Sequence, residues 1–162
     1  MTYTHRYAAR EDLEILWRDN IVNHPGDDRW ARWKAEYIGY NQRGAARTFA
    51  VLAEGVPVGE GTLLFDPACK AVNGRLALAD GKQVANVNAL RIQKTHEGKG
   101  QISRLVALIE QTARELGYTR LTIGVEESES RNRAIYAHWG YNRLLFTEME
   151  DGEPVLYYEK EL

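Results

Sequence analysis

The chain has 162 residues, 44% of them hydrophobic and 27% charged, which suits a globular protein able to bury the core of one compact domain. Lys and Arg (21) are interleaved with Asp and Glu (23) for a formal net charge of −2, so broad electrostatic attraction to nucleic acid or to an anionic membrane is excluded. No stretch approaches the run of about 18 apolar residues that crosses a bilayer. The N-terminus lacks the apolar core of a secretory signal, and the single cysteine, Cys69, excludes an intrachain disulfide or a Cys-rich zinc site. The expectation is one cytoplasmic domain over residues 1–162; a homodimer is left open.

Thr2 to Tyr7 alternates polar and aromatic residues and predicts a first strand. Leu13, Leu16, Trp17 and Ile21 form one apolar stripe at helical spacing, ended by His24, Pro25 and Gly26. A second helix is expected to start near Asp27 and Asp28, acidic residues suited to a helix N-terminus, and to carry Trp30, Trp33, Tyr37 and Tyr40 along one side. Thr48 to Leu52 and Val58 to Phe65 read as a hairpin turning at Gly55. Asp66 to Lys82 holds Pro67, Gly74 and Gly81 and reads as a long connection, and Val84 to Ile92 as a further strand.

After Gly98 and Gly100 comes the clearest helix, with Ile102, Leu105, Val106, Ile109, Ala113 and Leu116 in phase and Gly117 as its C-terminal cap. Leu121, Ile123 and Val125 alternate as a strand. Arg131 to Trp139 is a short helix closed by Gly140, and Asn142 to Met149 with Glu153 to Tyr158 form a hairpin around Asp151 and Gly152. This order is that of a mixed α/β (α+β) domain on one sheet, without the regular alternation of a doubly wound fold.

The chemistry is concentrated in Asn88 to Val106. A strand running through a glycine turn into a helix leaves backbone N–H groups without partners beside the positive end of the helix dipole, which is an anion site with phosphate as its usual guest. Glycine keeps side chains out of the way of that approach. A P-loop would need Ser or Thr after Lys99, where Gly100 stands, and a dinucleotide fingerprint would need glycine at Ser103. On the glycines alone, a plain strand-to-helix turn remains an equal reading.

The second informative stretch runs from Val125 to Tyr141. Together the two stretches resemble the GNAT superfamily, the Gcn5-related N-acetyltransferases. Its members carry a turn of the type Arg/Gln-x-x-Gly-x-Gly/Ala before a long helix, then a strand and a short helix ending in a Tyr-x-x-x-Gly-Phe-like pattern. Glu97, Gly98, Lys99, Gly100, Gln101 and Ile102 occupy the first pattern, and Tyr136, Gly140 and Tyr141 match the second without a gap. The resemblance covers roughly Val84 to Tyr141. It implies a single mixed, mostly antiparallel central sheet flanked by helices, an acyl-CoA N-acyltransferase fold, and acetyl-CoA as co-substrate. It also implies that the backbone of Leu90, Arg91 and Ile92 pairs with the pantetheine arm, that Gly98 to Ser103 hold the pyrophosphate, and that Tyr136 faces the thioester sulfur. Glu97 stands in place of the usual Arg or Gln, Ile102 in place of a small residue, and Glu129 and Asn132 where an Asn and a small residue are common; Lys94, Lys99 and Arg104 can make up the missing positive charge.

Tyr136 can be a core aromatic beside Ile135 and Trp139, but its register with Gly140 and Tyr141 favours a general acid. Asn86 and Asn88 cannot act as bases, and Asn88 is a candidate for orienting water or the acceptor. Glu126 and Glu127, at the end of the next strand, are candidate bases, although the pattern favours solvated charges for both. His96 and His138 lack metal-binding spacing, Cys69 lacks a nucleophile's context, and no metal is expected. Asp28, Trp30, Trp33 and Glu36 combine aromatic and acidic groups on the second helix, which suits a small cationic acceptor such as a polyamine-like or aminoglycoside-like amine. A protein N-terminus, a lysine side chain, or a coenzyme A-binding module without turnover are the alternatives.

Overall fold

The computed structural model describes all of residues 1–162. Seven strands run β1 (Tyr3–Tyr7), β2 (Ala46–Ala53), β3 (Val56–Leu64), β4 (Val84–Ile92), β5 (Arg120–Glu126), β6 (Arg143–Glu150) and β7 (Glu153–Glu161), with four α-helices, α1 (Arg10–Asn23), α2 (Arg29–Gln42), α3 (Gln101–Glu115) and α4 (Ser130–His138). The strands form one sheet in the order β1-β2-β3-β4-β5-β7-β6. It is mixed: β4 and β5 are parallel, whereas β1–β2, β5–β7 and β6–β7 are antiparallel. A parallel neighbour demands a crossover, and α3 supplies it. No helix is long and apolar enough to cross a membrane.

The chain separates into two compact units, residues 1–63 with 89–111 and residues 64–88 with 112–162. In the first, β1 pairs with β2 from Tyr3 opposite Ala53 to Tyr7 opposite Phe49. Leu16 of α1 packs on Ala50 and Leu52 of β2. The start of α1 is fixed by Asp12, whose buried carboxylate accepts the Ala9 N–H at 2.8 Å and Arg6 at 2.6 Å. Asn41 ties the end of α2 to β2, donating to Tyr37 O and Thr48 Oγ1 and accepting from the Thr48 N–H at 2.8 Å. Gly61 in β3 is required by packing: a Cβ there would stand 2.7 Å from Leu90 Cδ2 and 3.0 Å from Ile109 Cδ1.

In the second unit β7 lies between β5 and β6, so the closing hairpin is inserted into the sheet by its last strand rather than added at the rim. Thr122 of β5 donates to Leu78 O at 2.7 Å and accepts from Asn86 Nδ2 at 3.0 Å, a buried polar link from β4 to the 65–83 connection. Arg75 in that connection reaches Glu148 at 2.9 Å and lies 4.8 Å over the Tyr157 ring.

Candidate active site

The turn after β4 is built in steps. Gln93 closes the strand by donating to Val58 O at 2.9 Å, and a single 3₁₀ turn follows at Lys94–His96. Gly98 and Gly100 have φ of +73° and +75°, backbone that a residue with a Cβ rarely adopts, and a Cβ at either would meet nothing within 4 Å. This face of the turn is open. The first backbone bond of α3 is Arg104 N–H to Gly100 O at 3.2 Å, so the amides of Gln101, Ile102 and Ser103 precede the hydrogen-bonded ladder, at the positive end of the dipole. Lys94, Lys99, Arg104, Glu97 and Ser103 are exposed and Ile102 is half-buried in the first turn. Tyr3 of β1 holds the turn from behind: its hydroxyl is 2.8 Å from His96 Nδ1 and the rings meet edge-on at 5.6 Å.

The strand leading into the turn is kinked. The ladder with β5 ends at Val87 opposite Ile123, and Ala89 then takes a φ of +57°, an uncommon conformation for alanine. Leu90, Arg91 and Ile92 lie beyond that kink, and Asn88 is half-buried just before it. Asn86 is buried in its bond to Thr122.

Arg91 carries an arrangement that was not anticipated from the sequence. Its Nη2 donates to Glu60 Oε1 at 3.0 Å, and its guanidinium lies 5.0 Å over the rings of both Trp17 and Trp30. Glu60, only 2% exposed on β3, also accepts from Asn20 Nδ2 at 3.0 Å. Trp30 stacks on His24 at 3.8 Å and meets Trp33 edge-on at 5.0 Å, while the Arg29 guanidinium lies 5.3 Å over Trp33. Arg29 pairs with Asp27 at 2.8 Å and holds its carboxyl down at about 2. The protein's own guanidiniums lie over both of the rings expected to meet a cationic amine, Arg91 over Trp30 and Arg29 over Trp33. Asp28 is exposed at the helix start and Glu36 half-buried. The signal for this cluster was present in Gly59-Glu60-Gly61, a charge flanked by glycines within an apolar strand.

In the second unit, Tyr136 is half-buried on α4 and stacks on Trp139 at 5.7 Å. Burial, and then the charge of Glu129, push its phenol up to about 12. Asn132 donates to Glu129, so these two residues engage each other at the start of α4. Glu126 ends β5 exposed, and a hydrogen bond shared with Glu153, then slight burial and the charges of Glu153, Glu129 and Asp151, push its carboxyl above the usual range. Gly140 has a φ of +102°, and Tyr141 is buried beneath Lys160, 5.7 Å from its ring.

The kinked fourth strand, the glycine turn, the crossover helix to a parallel fifth strand and the inserted last strand define the acyl-CoA N-acyltransferase fold. The acetyltransferase (GNAT) family profile matches residues 10–141, and the chain belongs to that family. Among solved structures it is similar to an N-acetyltransferase from Staphylococcus aureus Mu50, at 17% identity, covering 99% of each chain, with a TM-score of 0.71. It is also similar to the paiA N-acetyltransferase from Thermoplasma acidophilum in complex with coenzyme A, at 17% identity over 100% of each chain and a TM-score of 0.68. A third is the Salmonella typhimurium acetyl transferase that modifies the N-terminal serine of ribosomal protein L7/L12, at 16% identity, covering 100% of this chain and 96% of the other, with a TM-score of 0.71. No curated protein matches the chain significantly.

Proposed function

We propose that residues 1–162 act as one domain that transfers an acetyl group directly from acetyl-CoA to a primary amine. The observation that carries this reading is the turn at Gly98–Ser103, with two left-handed glycines, an open face, and the unladdered amides of Gln101, Ile102 and Ser103 beside Lys99 and Arg104. Those donors suit a pyrophosphate, and coenzyme A is bound in the similar paiA enzyme. Leu90, Arg91 and Ile92 offer backbone groups to the pantetheine amides, and Glu97 and Gln101 flank the phosphates. Glu129 and Asn132, being engaged with each other, border the cofactor rather than bind it strongly.

In the reaction the amine nitrogen bonds to the thioester carbonyl carbon, the carbon–sulfur bond breaks, and coenzyme A departs as a thiolate. A backbone N–H near Ile92 stabilises the oxyanion. Tyr136, protonated at every physiological pH, donates its proton to the thiolate, and Glu126 or a water held by Asn88 takes the proton lost by the amine. Holding both reactants together supplies much of the acceleration. A small cationic acceptor would rest on Asp28 and Glu36. A protein N-terminus is a second reading, favoured by the likeness to the L7/L12-modifying enzyme.

The test is calorimetry with acetyl-CoA followed by thiol release across a panel of amines. Micromolar binding and turnover of one class is the expected result. Binding without turnover of any amine or peptide would identify a coenzyme A-binding module instead.

A further inference from the structure

We infer that Arg91 binds a carboxylate on the acceptor, so that the amine acetylated is an amino acid-like compound. This rests on the acetyltransferase reading and adds the substrate class. The indoles of Trp17 and Trp30 each lie 5.0 Å from the guanidinium and 6.3 Å from one another, so they line one side of it and hold it in place. A guanidinium has five N–H donors, and the structure uses it sparingly. Nη2 meets one oxygen of Glu60 at 3.0 Å, while Nε is buried with no acceptor at all. The other Glu60 oxygen is taken by Asn20, so Glu60 cannot turn to serve a second edge. An unpartnered buried donor is costly, and a ligand carboxylate supplies coplanar acceptors of the geometry such a fork requires.

On α1, on β3 and in the loop before α2, Asp12, Glu14, Asp19, Asp27 and Glu60 each have a basic partner within 4 Å: Arg6, Arg10 with Lys34, Arg18, Arg29 and Arg91. These five carboxylates are already engaged by the protein's own cations. The Arg91 side chain retains 28% exposure against 3% for Glu60, so the pair presents its positive member outward. Arg91 belongs to the stretch of β4 proposed to hold the pantetheine arm, which sets the carboxylate close to the amine that must reach the thioester.

The experiment compares L-amino acids with the amines formed by removing their carboxylate, such as phenylalanine with phenethylamine and arginine with agmatine, and includes spermidine as a purely cationic acceptor. On the unaltered protein, at least one amino acid should exceed its decarboxylated partner about tenfold or more in kcat/KM. R91K should bring that ratio towards one by raising KM for the amino acid. Because losing Arg91 strands Glu60, the paired variant R91Q/E60Q removes both charges and should show the same loss of preference in a folded protein. Equal or better turnover of the decarboxylated amines or of spermidine overturns the inference while leaving the transferase reading intact, as does an unchanged preference in R91K. Turnover of neither series, with acetyl-CoA bound, overturns the transferase reading itself and this inference with it.

Discussion

At the scale of single residues, Tyr136 is the side chain whose chemistry is most sharply defined. In the proposed mechanism the hydroxyl acts as charge develops on the departing sulfur, so its loss belongs in turnover and not in binding. Tyr136→Phe keeps the ring stacked on Trp139 and should lower kcat about ten- to a thousand-fold with little change in KM for acetyl-CoA. With the phenol at about 12, the kcat profile of the parent should show no falling limb from this group between about pH 7 and pH 10. Two glycines give a second contrast. A Cβ at Gly61 would meet the flexible end of Leu90 at 2.7 Å, whereas at Gly124 it would meet the Tyr157 ring at 2.7 Å. That ring is held by Arg75, Phe146 and Glu150 and has nowhere to go. Gly124→Ala should therefore lower the urea midpoint more than Gly61→Ala, with overpacking costs of about 1–3 kcal/mol bracketing the pair.

At the scale of elements, the turn proposed to hold phosphate depends on glycines and on a strand far from it in sequence. Tyr3→Phe removes the hydroxyl that meets His96 Nδ1 and leaves the ring in place. Acetyl-CoA affinity should fall several-fold with kcat at saturation unchanged, measured by calorimetry and steady-state kinetics; unaltered affinity would show that β1 is packing only. Gly100→Asn, which tolerates the left-handed region, should keep the melting temperature and weaken cofactor binding, separating the space needed by the phosphate from backbone strain. The elements themselves were largely legible. The strand read at Val84–Ile92 has the observed bounds of β4, and the 3.6-residue period placed α3. The 3₁₀ turn at Lys94–His96 has no period to reveal it, and β2 and β3 begin two residues earlier than the sequence suggests, at Ala46 and Val56.

At the scale of the whole molecule, what sequence could not supply was neighbourhood. A hairpin is local, but that its second strand inserts beside β5 depends on pairing Arg120 with Glu161. The glycine turn between β4 and α3 was readable because conformation and glycine are local facts, whereas the Glu60–Arg91 pair joins residues 31 apart and needs Trp17 from a third element. Stability against acid is likewise a sum over the chain. Burial disfavours the Asp80 charge, but the N–H groups of Val84, Gln83 and Lys82 outweigh it and hold its carboxyl below 3.8; Asp27, held by Arg29, lies at about 2. Both have folded values below their unfolded ones, so their contribution is present above the usual carboxylate value and lost as pH falls through the folded one. Glu126, raised instead, contributes in the opposite sense, favouring the fold only below its raised value. The urea midpoint should therefore drop as pH falls from about 4 towards about 2, and Asp80→Asn should make that drop shallower while lowering the midpoint at neutral pH.

The left-handed Ala89 has a consequence for how the fold meets its surroundings. By leaving the β5 ladder after Val87, β4 becomes a strand with one unzipped edge within an otherwise paired sheet. Such an edge ordinarily invites another polypeptide to add itself, the opening step of aggregation. Here the stretch of β4 beyond that ladder is only five residues long, Asn88 to Ile92. An edge that short gives a whole added strand little to pair with, so the kink limits self-association, and on the proposed acetyltransferase reading its backbone groups are left for something peptide-like but brief.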